Sequence, residues 1–339
     1  MAIFHLSIAE WYRRNARDLP WRRTKNPYLI WLSEIILQQT KVEQGLAYYQ
    51  KFSSSYPTVQ SLAEASEQDV LNLWQGLGYY SRARNLHFTA KQIVSEWNGE
   101  FPKSYATLLQ LKGIGKYTAA AIASFSNDEA VAVVDGNVYR VLSRVFDIDL
   151  AIDSTAGKNH FFQLAQELID TENPAEFNQA IMEFGALQCT PKKPNCWNCP
   201  LSENCLAHAH QTIAERPVKS KKSKVRNRFF HFLFFEHNGF TWIDQRTEKD
   251  IWQNLYQFPL IEQDENNEDF DIKTHTHLSP IHVSKPITHI LSHQKIHAVF
   301  YHFDGTPAAM HDNWQMIKRE NLQDFPLPRL IDRYLETTD

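Results

Sequence analysis

Apolar residues recur at three- and four-residue spacing through about the first 210 positions, and long β-branched runs are scarce there, so this part predicts an all-helical domain. Asn26 and Pro27 form a helix start, a capping side chain followed by proline at the first helical position, and predict a helix through Leu37. Further helices are predicted over 42–52, 67–74, 81–97, 104–111, 117–125, 137–146, 158–170 and 174–187. After residue 228 the pattern changes. The aromatic run Phe229-Phe-His-Phe-Leu-Phe-Phe235 reads as a strand, and Asn238-Gly239 after it is a hairpin signal. Ile287–Ser292 and His297–Phe303 also read as strands. The chain therefore divides into a helical domain at 1–210, a linker at 211–228 and an α+β domain at 229–339. The linker reading rests on 216–228, which holds seven Lys or Arg and no acid. A solvated tether is favoured there over a specific DNA site. Residues 262–271 carry six acids and no base and predict an exposed loop.

Composition narrows the classes. The chain has 339 residues, 43% hydrophobic and 13% aromatic, with a net charge of −4, which excludes dominant disorder. No apolar run approaches the ~20 residues of a membrane helix, and Met1–His5 lacks a signal-peptide pattern. The expected location is cytoplasmic, nucleoid-associated if the source is bacterial, with no membrane contact. Four cysteines are too few for a disulfide scaffold. Net charge gives no hint of nucleic acid, so any DNA contact must come from local patches.

All four cysteines fall within seventeen residues, Cys189, Cys196, Cys199 and Cys205, spaced C-x6-C-x2-C-x5-C. Clustered thiols in a reducing compartment indicate metal. Zinc sites favour two pairs with short internal gaps. The longer gaps here suit the wider spread of a [4Fe–4S] cluster. Lys192 and Lys193, between the first two ligands, suit phosphate contact.

Leu108–Ile122 reads as two helices joined by a tight turn at Gly113 and Gly115. Free N–H groups at the start of the second helix, with Lys116 beside them, make an anion site suited to DNA phosphate. This is a helix–hairpin–helix pattern. Two carboxylates stand in apolar settings. Glu34 lies within Leu29–Leu37; buried, it would have a raised pKa and serve as a general acid. Together with Gln38 and Lys41 it also fits a solvent-facing polar stripe, and on residues alone that reading is favoured. Asp135 ends the run Ala130–Val134 and fits a helix N-cap, a carboxylate facing developing positive charge, or both.

Taken together, residues 5–210 resemble the iron–sulfur helix–hairpin–helix DNA glycosylases, on the cysteine spacing, the Leu-x-Gly-x-Gly-x-Tyr-Thr-Ala hairpin and Val134-Asp135-Gly136-Asn137-Val138. The endonuclease III branch has a nucleophilic lysine two residues beyond the second hairpin glycine. Here Tyr117 holds that position and Lys116 is one residue off, which points to a monofunctional enzyme. Leu19-Pro-Trp-Arg22, Trp31–Thr40 and Gly76–Leu86 resemble the adenine DNA glycosylase (MutY) family. The resemblance reverses the reading of Glu34, which becomes the general acid. It implies that Asp135 is the partner carboxylate and that Tyr117 and Asn137 support the two. It also implies that Gln179 contacts a flipped adenine, that Trp21, Arg22, Leu37 and Val42 wall the base pocket, and that Gln39 and Tyr79 enter the DNA stack. The second domain resembles that family's MutT-like (Nudix-fold) domain, best at Trp252–Pro259, without the acidic Nudix hydrolase box. Leu291-Ser292-His293 stands where the family has Phe-Ser-His, a loop that checks for 8-oxoguanine. The resemblance thus implies a monomeric, multidomain base excision repair enzyme, with an all-α glycosylase domain carrying [4Fe–4S] and an α+β recognition domain. Its substrate would be duplex DNA with adenine opposite 8-oxoguanine or guanine. Competing readings are a thymine-mismatch or endonuclease III-like glycosylase, a non-catalytic iron–sulfur DNA-binding protein and a zinc protein.

Overall fold

The computed structural model describes residues 2–220, 225–263, 265, 270–309 and 311–337. The chain forms two compact units, Met1–Glu64 with Asn85–Lys221, and Ala65–Arg84 with Lys222–Asp339. Its first helices are α1 (Ala2–Asn15), α2 (Pro27–Leu37), α3 (Val42–Ser55), α4 (Val59–Glu64), α5 (Glu67–Trp74) and α6 (Ser81–Trp97). They are followed by α7 (Tyr105–Leu108), α8 (Lys116–Asn127), α9 (Gly136–Val145), α10 (Thr155–Leu168), α11 (Pro174–Leu187) and α12 (Leu206–Ala209). Every predicted segment is helical, with shifted ends. Residues 104–111 shorten to α7, because the chain passes into a turn at Leu109 and Gln110, closed by the Gln110 N–H to Thr107 carbonyl bond at 3.0 Å. Helices α1, α4 and α12 were not expected from the sequence.

Helix α2 shows how the first unit is built. The Asn26 side chain accepts the Tyr28 N–H at 2.9 Å, with Pro27 in the first turn. Its residues Tyr28 and Ile30–Ile36 are buried on every side, which marks a central helix. It packs on α3 and α8. Alanines 119–121 and Ala123 of α8 are fully buried and allow close approach. A second cluster joins Phe4 and Ile8 of α1 with Val138, Val141 and Leu142 of α9, Phe161 of α10, and Phe177 and Phe184 of α11. Burying each such side chain contributes about 1.5–3 kcal/mol. Among the described residues, no helix is long and apolar enough to cross a membrane.

The second unit is a mixed sheet. Its strands are β1 (Arg226–His237), β2 (Phe240–Gln245), β3 (Tyr256–Gln257) and β4 (Leu260–Gln263), then β5 (His282–Val283), β6 (Ile287–Ile290), β7 (Gln294–Asp304) and β8 (Trp314–Lys318). Two helices, α13 (Ile272–Thr276) and α14 (Arg329–Leu335), accompany it. The order is β3-β2-β1-β7-β5, with β4 also on β1, β6 on β7 and β8 on β2. Strands β1 and β7 run parallel, Phe232 opposite Phe300, and the other pairs are antiparallel. The predicted Asn238-Gly239 hairpin joins β1 to β2, pairing His237 with Phe240. The aromatic run is explained by burial of β1 on both faces. Phe230, Phe232 and Phe234 are buried on one face; Leu233 and Phe235 cluster on the other with Trp242, Ile272, Tyr301 and Phe303.

Three sequence expectations change. Residues 65–84 belong with the C-terminal elements rather than with the helical domain. Long-range bonds explain this. Gln75 Nε2 donates to Asp332 Oδ1 at 2.8 Å, Tyr80 Oη to the Leu327 carbonyl at 3.1 Å and Asn72 Nδ2 to the Asp324 carbonyl at 2.8 Å. The basic stretch 216–228 is not all tether. Arg216 lies 2.9 Å from Asp147, Val218 accepts the Ile152 N–H at 3.0 Å, and Arg226 and Arg228 belong to β1. Lys221, Lys222 and Lys224 lie outside the described residues. The acidic stretch also begins inside the sheet, since Glu262 sits in β4 and Arg228 donates to both its oxygens at 2.6 and 2.7 Å. Asp264, Glu268 and Asp269 of that stretch lie outside the described residues.

Candidate active site and DNA-contact elements

Helices α2, α8, α9 and α11 enclose a cavity of about 470 Å³ in the first unit. That lies within the usual range for small-molecule sites. It brings together Trp21, Arg22, Glu34, Leu37, Gln39, Val42, Tyr117, Asp135, Asn137 and Gln179, all singled out from the sequence.

Glu34 is 6% exposed, so the solvent-facing reading is corrected: Glu34 and Gln38 line this cavity, and of the stripe Lys41 alone is exposed. Tyr117 Oη donates to Glu34 Oε2 at 2.5 Å. Burial pushes the Glu34 carboxyl up to about 7, and the Asp135 charge adds to this. The Tyr117 hydrogen bond and Arg22 oppose the rise. Burial and the two nearby carboxylates push the Tyr117 phenol well above its ordinary value. Lys116 is exposed and is absent from the cavity wall.

Asp135 caps α9. Its Oδ1 accepts the backbone N–H groups of Asn137 and Val138, both at 2.8 Å, and its Oδ2 accepts Asn137 Nδ2 at 2.7 Å. Burial lifts this carboxyl above its ordinary range, while those donors and Arg140 pull it back. All three donors need lone pairs, so the arrangement suits the carboxylate form. Arg140 Nη2 donates to Asn137 Oδ1 at 2.8 Å, which turns the Asn137 amide nitrogen toward Asp135. The same guanidinium donates to the Cys189 and Gly185 carbonyls at 2.7 and 2.6 Å. Gly185 leaves no room for a side chain. A Cβ there would stand 2.6 Å from Asn137 Cβ and 2.9 Å from its carbonyl oxygen.

A third carboxylate lines the same cavity and was not singled out from the sequence. Glu183 accepts Arg17 through both oxygens at 2.8 and 2.7 Å and Arg22 at 2.7 Å. Burial would raise it, but these partners hold it down at about 2. Its signal in the sequence was spacing: Glu183 is four residues beyond Gln179 on α11, hence on the same face. Arg140, three residues beyond Asn137, carried the same kind of signal.

The DNA-contact candidates fall into three groups. In the hairpin, Gly113 has φ +76°, and a Cβ there would meet Asn85 Cβ at 2.8 Å. Gly115 caps α8 with no side chain over the first N–H groups, and Gly115 and Lys116 are exposed. Gln39 and Tyr79 share a backbone feature, φ of +56° and +51°, a region few non-glycine residues occupy and one concentrated at functional sites. Tyr79 lies in the second unit, where its hydroxyl is 2.7 Å from Ser292 Oγ. Ser292 and His293 are exposed in the turn between β6 and β7, closed by the Leu291 N–H to Gln294 carbonyl bond at 2.8 Å.

The four cysteines line one small cavity with Arg144, Phe184 and Leu201. Arg144 reaches Cys189 Sγ at 3.4 Å and the Thr190 carbonyl at 2.7 Å. Among the described residues, no three metal-binding side chains converge as a single ion would require. The four cysteines around this cavity could supply the four thiolates of a [4Fe–4S] cluster.

Residues 32–170 match the family model described as the HhH-GPD superfamily base excision DNA repair protein, and 189–205 match the iron–sulfur binding domain of endonuclease III. Residues 230–337 match a NUDIX domain. The fold and the site therefore define a helix–hairpin–helix DNA glycosylase whose cysteine loop binds a [4Fe–4S] cluster. A solved thermostable thymine-DNA glycosylase is 29% identical, with a TM-score of 0.58, covering 62% of this chain and 96% of that one. A non-covalent endonuclease III–DNA complex is similar in fold, at 19% identity and a TM-score of 0.54, over 62% of this chain and 96% of that one. The adenine DNA glycosylase of Buchnera aphidicola subsp. Schizaphis graminum is 35% identical over 98% of both chains. That of Homo sapiens is 46% identical over 60% of this chain and 39% of its own. The chain belongs to the adenine DNA glycosylase family.

Proposed function

We propose that this protein hydrolytically releases adenine paired with 8-oxoguanine or guanine in duplex DNA, without strand cleavage, and acts as a monomer. The observation that carries the reading is the carboxyl pair of the cavity, Glu34 held near 7 beside a phenol and Asp135 fixed by amides. Adenine leaves the stack at a cost of a few kcal/mol and enters the cavity. Trp21, Leu37 and Val42 flank it, and Arg22 and Gln179 offer polar contacts. Glu34 gives its proton to adenine N7, which makes the base a better leaving group. Asp135 stabilises the oxocarbenium-like sugar, with Asn137 holding the carboxylate in place. Water completes the hydrolysis. With Tyr117 in the cavity and Lys116 outside it, no lysine among the described residues lines the cavity, which supports a monofunctional reaction.

Cys189, Cys196, Cys199 and Cys205 would hold the [4Fe–4S] cluster, which would crosslink their loop; the hydrolysis itself has no redox step. The hairpin at Gly113, Gly115 and Lys116 holds phosphate. Gln39 and Tyr79 enter the stack, and Ser292 and His293 read the opposite base. The second unit recognises rather than hydrolyses, since the described helix after β4, α13, carries no acidic residue.

Single-turnover base release tests this, comparing adenine opposite 8-oxoguanine, guanine and cytosine, with Asp135→Asn as control. Fast release opposite 8-oxoguanine, lost in the variant, supports the reading. Release of thymine instead, or a borohydride-trapped protein–DNA adduct, would point to the other glycosylase classes.

A further inference from the structure

Gln179 lines the cavity from α11, and a residue far away in the chain fixes which end of its amide is available. Tyr12 of α1 donates its phenolic O–H to Gln179 Oε1 at 2.9 Å. Burial raises the pKa of this phenol, so the O–H keeps its proton; Arg22 works the other way and polarises the bond. The Arg22 guanidinium sits 5.7 Å from the Tyr12 ring centre and is itself anchored to Glu183 at 2.7 Å and to the Arg17 carbonyl at 3.2 Å. The donor is therefore held from behind by a buried ion pair. With Oε1 engaged by Tyr12, Gln179 has its Nε2 hydrogens left to offer the cavity.

We infer that Tyr12 is a specificity-determining positioning residue: it sets Gln179 as a hydrogen-bond donor, so the cavity admits purines whose facing ring nitrogen has a lone pair and rejects those whose nitrogen carries hydrogen. Adenine N1 has a lone pair. In guanine and hypoxanthine N1 carries a hydrogen. Two donors facing each other leave both without an acceptor, and an unmet buried donor is costly. The selectivity lies in one amide orientation rather than in pocket size. The inference rests on the reading of this cavity as an adenine pocket.

The test uses the full-length protein and single-turnover base release opposite 8-oxoguanine. The duplexes carry adenine, purine or hypoxanthine. Purine and hypoxanthine both lack the exocyclic amine and keep N7, but purine N1 is an acceptor and hypoxanthine N1 a donor. Intrinsic leaving ability cancels when the purine-to-hypoxanthine rate ratio is compared between proteins. Tyr12→Phe frees the Gln179 amide to rotate. The ratio should fall about tenfold, equal to about 1.4 kcal/mol. Gln179→Ala should lower it as much, and the double variant no further. A merely structural role for Tyr12 would slow all three bases alike and leave the ratio intact. An unchanged ratio in Tyr12→Phe, or a parent protein that prefers hypoxanthine, overturns the inference while leaving the adenine pocket standing. A parent that releases no adenine overturns both.

Discussion

The two units partner their carboxylates in opposite ways. In the second, Asp250 and Glu262 both clasp Arg228, whose side chain is 5% exposed, and Arg246 adds a contact to Asp250 at 2.8 Å. Burial would raise Asp250, but the arginines bring it below its ordinary value. In the first unit, Glu34 faces a phenol and Asp135 faces amides, and neither has a hydrogen-bonded cation. A carboxylate matched by arginine has a fixed charge and serves as structure. Glu34, with a phenol in place of an arginine, can exchange a proton near neutral pH, while Asp135 keeps the carboxylate form on amide donors. Glu183 shows that the partner decides, not the place: it shares the cavity with Glu34 and lies near 2 rather than 7.

The strongest challenge to this contrast is Asp135→Asn, which removes the charge and keeps the shape. Base release should fall about a thousandfold, by analogy with the loss of a well-placed electrostatic group. Next is Glu34→Gln. It should slow release a hundredfold or more, yet melt higher than the parent at pH 8. The sign follows from linkage. The folded Glu34 value, about 7, exceeds its ordinary 4.5, so its stabilising share is full below pH 4.5 and lost as pH rises through 7. Glu183, at about 2, does the reverse and loses its share as pH falls from 4.5. In the second unit, Glu262→Gln should cost about 1–3 kcal/mol of stability by denaturant titration, with no change in the pH profile of release. That profile itself is the next effect: the release rate should fall about tenfold per pH unit above 7, as Glu34 loses its proton. The smallest is Ser292→Ala, a severalfold loss of preference for 8-oxoguanine over guanine, read from the two release rates. Equal pH profiles for the parent and Glu34→Gln would break the comparison.

Much of the site was legible because its signals are local. Asn26-Pro27 caps α2, Gly113 and Gly115 mark the hairpin, and Asp135 serves both as cap and as cavity wall. The burial of Glu34 was not local. Glu34, Gln38 and Lys41 form the same stripe whether the facing medium is water or a cavity, and only the packing of α2 decides. Periodicity saw each helix but could not assign it to a unit. The segment 65–84 carries ordinary helical spacing, and its allegiance lies in bonds to residues more than 160 positions away, such as Arg84 to the Gln253 carbonyl at 2.7 Å. Arg216 and Arg228 likewise look like tether charges until their acidic partners are in place.

One missing methyl group sets a distance in the first unit. Helices α9 and α11 cross where Gly185 meets Asn137, so the thickness of a hydrogen atom sets how deep Asn137 sits, and through it where Asp135 is held. The crossing acts as a gauge block in a machine, a spacer whose only property is its dimension. A variant at 185 would fold around a slightly wider gap and carry every reactive group intact. Its defect would be a misalignment, invisible to any inventory of its chemistry.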